Sequence, residues 1–379
     1  MSNKKDSLTI AIAAEIAPAK TLIPVIKKLR LLESQNKLNW KKTKIIGLYH
    51  GESSKQFLNN ISDECYFIGE GRGSNKNKNS NYKLFYLIFK DVIKAYKAMK
   101  GKNIDLLITC GNAGDVRKSI LAANFLHIPV LHIEQDIYNP IEFISHANLV
   151  TVPSKKYVSY LKETYNIKNV FNIGGYPMAK YVNDSIDNDS MKSKENILIE
   201  NNFIDNYILV VLGGDLRSKD LPKLINVIEG LNLNALIAPY RFDKNLVESL
   251  VNSPNVNVLD NYVDLFSYIN GADTLIYAAG MGMTIEAGVF EVPSIKIEGF
   301  HKVHGSVDLA KELNIPIVPI SEISNVITDL SSPNKGDFLK NSQVAIDNLV
   351  SIINNFDFSL EKSGLSSTKK IWNKRKVFR

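Results

Sequence analysis

The chain is poor in sulfur: Cys65 and Cys110 are its only cysteines in 379 residues. Two distant thiols cannot build a disulfide framework, and no histidines at ligand spacing complete a structural zinc site. Both are read as packed thiols. Long hydrophobic runs are also missing, since nothing approaches the roughly 18–20 apolar residues that span a bilayer. The first residues, Met1 to Asp6, are polar and lead straight into a strand-like run. No signal peptide is visible there, so a cytoplasmic chain is expected. Nor is charge extreme. A net +7 suits anionic partners such as diphosphates or acidic lipid headgroups without choosing among them. The lysines are dispersed and no nucleic-acid-binding module appears, so nucleic acid is not an expected partner.

What the chain does have is an alternation of short apolar runs with amphipathic stretches, the pattern of strand–helix repeats around parallel sheets. Strands are expected at Leu8–Ala14, Thr43–Tyr49, Leu106–Thr109, Val130–Ile133 and Leu149–Val152. The rhythm restarts with Tyr207–Leu212, Ala235–Pro239, Val256–Leu259, Thr274–Tyr277 and Ser294–Ile297. After the first strand, Leu22, Val25, Ile26 and Leu29 recur at helical spacing. Gly174-Gly175-Tyr176-Pro177 marks a boundary. This gives a domain over 1–177, a second over 178–339, and a C-terminal helix with a basic tail over 340–379. Gly69–Asn81 reads as a surface loop, and Tyr82–Lys100 as a helix mixing aliphatic, aromatic and lysine residues.

Four segments of the second half carry candidate chemistry. Gly213, Gly214 and Asp215 close an apolar strand, where glycines let backbone approach a diphosphate and a helix N-terminus offers N–H groups. Ala279, Gly280, Met281, Gly282, Met283 and Thr284 follow a strand and open a helix. Glu286 falls in the first turns of that helix, and a carboxylate there suits the two hydroxyls of a ribose. Tyr262 and Val263 lie in Asp260–Asp264, a post-strand segment whose backbone suits a base edge. His301 and His304 are three apart, but no carboxylate or cysteine completes a metal site nearby. Hydrogen bonds to sugar or phosphate are the better reading, and no metal is expected.

In the first half, Gly111, Asn112, Ala113 and Gly114 form a second strand-to-helix turn, a second diphosphate seat. His132, Glu134, Gln135 and Asp136 cluster at a strand end, where polar side chains suit a cleft better than a core.

Read in order, these segments resemble the MurG-type glycosyltransferases of family 28, over about residues 8 to 320. Ile128-Pro129-Val130-Leu131-His132-Ile133-Glu134-Gln135-Asp136 resembles the family's I-P-V-x-x-H-E-Q-N segment. Gly174-Gly175-Tyr176-Pro177 resembles its inter-domain G-N-P turn, and Leu209–Asp215 its glycine-rich donor loop. Ala279-Gly280 with Thr284 and Glu286 resembles A-G-x-x-T-x-x-E, whose acid binds the ribose of UDP. His301 to His304 fall where the family contacts the donor's phosphates and sugar.

The resemblance implies a GT-B fold: α/β, with two Rossmann-like domains whose parallel sheets face each other across a cleft. It implies transfer of N-acetylglucosamine, with inversion, from UDP-N-acetylglucosamine to a polyprenyl-diphosphate-linked cell-wall precursor at the cytoplasmic membrane face. It implies no cofactor beyond the UDP-sugar substrate. Contact of Tyr82–Lys100 and the basic tail with anionic membrane is one expectation; an ordinary sheet-covering helix and a solvated tail are the other.

Two departures stand out. The family's first loop is glycine-rich and ends in a histidine, whereas Ala13-Ala14-Glu15-Ile16-Ala17-Pro18-Ala19-Lys20 has neither. Glu15 is the replacement candidate for the base, with Glu134 and His132 as rivals. The second acceptor loop is shortened to Gly111–Gly114, so the acceptor need not be peptidoglycan's; a pseudomurein-type pathway would differ in this way. The same fold serves UDP-sugar 2-epimerases. Glu15 to Lys20 is faintly similar to their first loop, but its arginine is absent and His132-Ile133-Glu134 is not followed by Ala-Gly-Leu-Arg. A non-catalytic partner of a glycosyltransferase is the third reading.

Overall fold

The computed structural model describes residues 5–69, 81–135, 137–186, 191–299 and 302–377. Segment 70–80, Asp136 and His301 lie outside them. The chain divides into two compact units, one of Met1–Tyr181 with Lys340–Arg379, the other of Val182–Leu339.

The first unit is built on a parallel sheet of β1 (Lys5–Ala13), β2 (Trp40–His50), β3 (Glu64–Gly69), β4 (Leu106–Cys110), β5 (Val130–Ile133), β6 (Leu149–Val152) and β7 (Val170–Asn172). Their order is β3-β2-β1-β4-β5-β6-β7, all neighbours parallel. Central strands such as Leu106–Cys110 are buried along their whole length and apolar but for Thr109, because both of their faces are covered. On one face the helix Ile16–Ser34 buries Leu22, Val25, Ile26 and Leu29. The helix Phe338–Asn354 adds Ala345, Ile346 and Leu349 to that same core. On the other face Ala95, Val116, Ile120 and Ile371 join, from the helices Asn81–Met99, Gly114–Phe125 and Leu365–Val377.

The basic tail is therefore not a solvated coil. Ile371 is fully buried, and Arg375 Nη1 lies 2.7 Å from Glu142 Oε2. Arg117 Nε holds the other Glu142 oxygen at 2.6 Å. Burial acts most strongly on the Glu142 carboxyl and pushes it up, but the bond and charge of Arg117, with help from Arg375, leave it below its usual range. Charge pairing and an apolar anchor together order a stretch whose composition alone reads as soluble tail.

The second unit carries β8 (Ile208–Val211), β9 (Ala235–Ala238), β10 (Val256–Val258), β11 (Thr274–Tyr277), β12 (Ser294–Ile297) and β13 (Ile317–Val318), in the order β10-β9-β8-β11-β12-β13 and again parallel. The helix Leu221–Gly230 buries Leu221, Leu224, Ile225 and Ile228 against it. Both units are thus Rossmann-like α/β layers, and the fold is of the GT-B type. Among the described residues no helix is long and apolar enough to cross a membrane.

Candidate functional site

In open parallel sheets, ligands bind beyond the carboxyl ends of the strands, where the strand order reverses direction. The two sheets reverse between β1 and β4 and between β8 and β11. Candidate residues follow the strands at both points: Glu15 and Gly111–Gly114 after β1 and β4, Gly213–Asp215 and Ala279–Glu286 after β8 and β11.

In the second unit Gly213, Gly214 and Asp215 leave β8 beside the turn that leaves β11. Asp215 N–H donates to the Ala278 carbonyl at 3.2 Å. A Cβ on Gly213 would stand 2.2 Å from that oxygen, so only glycine lets the two turns meet. Gly280 caps the helix Met281–Phe290, placing Met281, Gly282 and Met283 in its first turn. Thr284 Oγ1 donates back to the Gly280 carbonyl at 3.3 Å and accepts from the Tyr277 hydroxyl at 3.2 Å. Glu286, in the second turn, is buried. A Cβ on Gly280 would lie 3.7 Å from His304 Cε1, so that ring borders the same turn. His304 Nδ1 accepts from Ser306 N–H at 3.1 Å, capping the next helix and putting the ring proton on Nε2. Tyr262 and Val263 follow β10, an edge strand two places from β8, and Tyr262 is 86% exposed.

Two cations of this region escape sequence reading. Lys296 Nζ, on β12, donates to the Ala279 carbonyl at 2.6 Å, stands 3.9 Å from Asp215 Oδ2 and lies 5.3 Å from the Tyr277 ring centroid. Burial pushes its ammonium down to about 8, against the pull of Asp215. Arg241 follows β9, with Nη1 3.3 Å from where a Gly214 side chain would begin. Glycine turns, a helix N-terminus and these cations make an electropositive edge suited to a diphosphate. A strand such as Ser294–Ile297 looks like a half-exposed alternation, which hides Lys296. Arg241 had a weak signal as an arginine just beyond a strand.

In the first unit, Ala13 of β1 lies opposite Leu48 of β2 and Thr109 of β4, so the residues that follow emerge at one level. Glu15 caps the helix Ile16–Ser34. Gly111 has a φ of +89°, and a Cβ there would strike Pro18 Cγ at 2.4 Å, which seats the Gly111–Gly114 turn against the start of that helix. Asn112 Nδ2 donates to the Asn139 carbonyl. A register shift at Tyr49–His50 ends β2 and re-aims the imidazole. His50 Nδ1 lies 3.4 Å from Glu15 Oε1, and its Nε2 2.8 Å from Lys118 Nζ. Lys118 also binds the Asp91 carboxylate. Asp115, beside Gly114, completes the group and is fully buried.

Glu15, His50 and Asp115 offer ligand atoms all within 4.8 Å of one another, a spacing a metal ion could use. The Lys118 ammonium opposes it. A charged amine has no lone pair, so His50 Nε2 must accept and the ring proton sits on Nδ1, the atom a metal would need bare. The set fits proton chemistry better than a cation.

His132 and Glu134 are fully buried: His132 Nδ1 lies 2.9 Å from Thr109 Oγ1, and its Nε2 3.3 Å from Glu134 Oε2. Gln135 Nε2 donates to Thr21 Oγ1 at 2.8 Å. The nearby Cys110 thiol is pushed up by burial first and by the charge of Glu134 next. Of the three rivals for a base, Glu15 is the one with a partly open carboxylate, 26% exposed.

No family model matches the chain, and no curated protein matches it. Solved structures do. A UDP-N-acetylglucosamine 2-epimerase from Rickettsia bellii is 14% identical over 93% of this chain and 97% of its own, with a TM-score of 0.67. A UDP-GlcNAc 2-epimerase from Methanocaldococcus jannaschii, in complex with UDP-GlcNAc and UDP, is 16% identical over 98% and 100%, with a TM-score of 0.62. A MurG from Acinetobacter baumannii reaches 17% over 91% and 94%, at a TM-score of 0.49, too low to bear on the choice. At such identities the likeness is one of fold, and it is a likeness over whole chains: two Rossmann-like domains of GT-B type.

Proposed function

We propose that this chain is an enzyme acting on UDP-N-acetylglucosamine, with the nucleotide held by the second unit. The observation that carries this is the meeting of the Gly213–Asp215 and Ala279–Gly280 turns at the strand-order reversal, with Glu286 buried in the helix that follows. Backbone N–H groups and Arg241 suit the diphosphate, and the Glu286 carboxylate suits the ribose. Glu15, the partly exposed carboxylate among the candidates, is the choice of base.

Of the reactions open to such an enzyme, epimerisation at carbon 2 of the sugar is favoured by the full-length likeness to two UDP-N-acetylglucosamine 2-epimerases. It requires a proton to be removed and returned, and no second substrate. Transfer to a lipid-linked acceptor is the second reading, favoured by the five MurG-like segments in their order along the chain. There Glu15 would take the acceptor hydroxyl's proton as UDP leaves.

Calorimetry tests the substrate first. Micromolar binding of UDP-N-acetylglucosamine, weakened at least about tenfold (~1.4 kcal/mol) in Glu286→Ala, is the expected result. The absence of binding to any UDP-sugar would overturn the proposal. Incubation in deuterium oxide then separates the reactions. Epimerisation places deuterium on carbon 2 with no acceptor present, whereas transfer releases UDP only when a lipid-linked sugar is added. Binding with neither outcome would point to a non-catalytic partner.

A further inference from the structure

The ionic group at the β1–β4 reversal includes one fully buried carboxyl group, that of Asp115. Asp115 sits in the first turn of the helix Gly114–Phe125, and no side chain among the described residues donates to its carboxylate oxygens. A buried anion that no side chain donates to is costly. Its neighbours make the cost larger: an oxygen of Glu15 lies within 4.8 Å, and two carboxylates at that range do not both ionise cheaply.

The other neighbours fix which of the two gives way. Lys118, itself buried, donates to His50 Nε2 and to Asp91, and Lys94 stands 3.6 Å from the same Asp91. This chain leaves His50 with its proton on Nδ1, aimed at Glu15 Oε1. Glu15 therefore receives an N–H and is partly open to water. Asp115 is closed to water, and no side chain donates to it.

We propose that Glu15 and Asp115 form one proton-exchanging pair, in which Asp115 carries the proton at neutral pH, Glu15 is the ionised member, and His50 is the residue that positions Glu15. Burial first and the charge of Glu15 next push the Asp115 carboxyl up to about 8, while the backbone N–H groups of Val116 and Asp115 and the Lys118 ammonium pull the other way. Cys110 also faces Asp115, as a thiol pushed up by burial and not a competing anion. Pairs of acids driven apart in this way divide the roles of acid and base between them.

Its use on a sugar rests on the function proposed above; the sharing of the proton does not. In use, a C–H or O–H bond of the substrate breaks, its electron pair stays with the substrate, and the proton goes to a Glu15 oxygen. The pair is then doubly protonated and neutral, and returning one proton restores it. No oxidant or second reactant is needed.

The experiment needs no ligand. The full chain is prepared with aspartate carboxyl carbons labelled with carbon-13 and titrated by nuclear magnetic resonance. One aspartate signal is expected to titrate near 8, to vanish in Asp115→Asn and to move to lower pH in Glu15→Gln. Glu15 is partly exposed, so that second variant carries the test if Asp115→Asn fails to fold. An Asp115 signal in the ordinary acidic range, or one indifferent to Glu15→Gln, would overturn the pair. So would stoichiometric zinc or manganese(II) shifting the His50 ring resonances and abolishing the titration, which would make the group a metal site. Because no UDP-sugar is present, failure here is separate from failure of the substrate assignment.

Discussion

The Lys296 ammonium reaches the Ala279 carbonyl across 2.6 Å, so that β12 is tied to the turn opening the helix Met281–Phe290 by a buried charge. The cost of that charge sets a pH dependence. Burial lowers the amine from 10.5 to about 8, so between those values the unfolded chain binds the more protons. Stability should then rise with pH across the window, recovering on the order of 3 kcal/mol that the buried ammonium costs below it. Urea unfolding of the wild type and Lys296→Met over a pH series checks this. The rise should be missing from the variant, and parallel curves would contradict the argument.

The turns at the β8–β11 reversal allow no side chain at Gly213. Gly213→Ala would drive a methyl to 2.2 Å from the Ala278 carbonyl and 2.5 Å from Ala279 Cα, both backbone atoms. A loss of about 1–3 kcal/mol in unfolding free energy is expected, together with weakened UDP-sugar binding. Gly230→Ala is the matched control. It ends the helix Leu221–Gly230 with nothing within 4 Å of the new methyl, and should be neutral or stabilising by up to about 1 kcal/mol.

The docking of the helix Leu365–Val377 should contribute measurably to the first unit. Arg375→Ala leaves Glu142 buried with Arg117 as its remaining ion pair, and a loss of about 3 kcal/mol or more is expected. Ile371→Ala, which empties a fully buried position, should cost about 2–5 kcal/mol by a different route. Thermal unfolding distinguishes the two through pH. The depressed Glu142 carboxyl contributes stability above its unfolded value of 4.5 that is lost on acidification. Arg375→Ala should flatten that acid limb, and Ile371→Ala should leave its shape unchanged.

The ten strands expected from sequence correspond to ten of the thirteen among the described residues, within three residues at each end. Those passed over are β3, β7 and β13, each at the edge of its sheet. An edge strand has one flank and often one face free, so it needs fewer apolar residues; Glu64–Gly69 is mostly half-buried, and Ile317–Val318 is two residues long. The glycine turns were legible because each follows a strongly apolar strand. His50, Asp91, Asp115 and Lys118 were not, because they come from three separate segments: the β2-β1-β4 order brings His50, Asp115 and Lys118 together near Glu15, and Asp91 joins through Lys118 from the helix Asn81–Met99. No spacing along the chain records that meeting. Lys296 was hidden for another reason: period-two alternation suggests an exposed lysine, but a central strand covered on both faces has no exposed side.

The return of residues 340–379 to the first unit bears on how the chain is made. Leu349 and Ile371 join the two cores of that unit, on opposite faces of its sheet, yet they are synthesised after the whole of the second unit. The second unit, by contrast, is one continuous stretch, Val182–Leu339. Synthesis therefore hands the cell a finished second unit while the first still has open apolar surface on both sides, reversing the usual order in which N-terminal domains mature first. A nascent chain stalled before residue 340 should for that reason be a better chaperone substrate than the released protein.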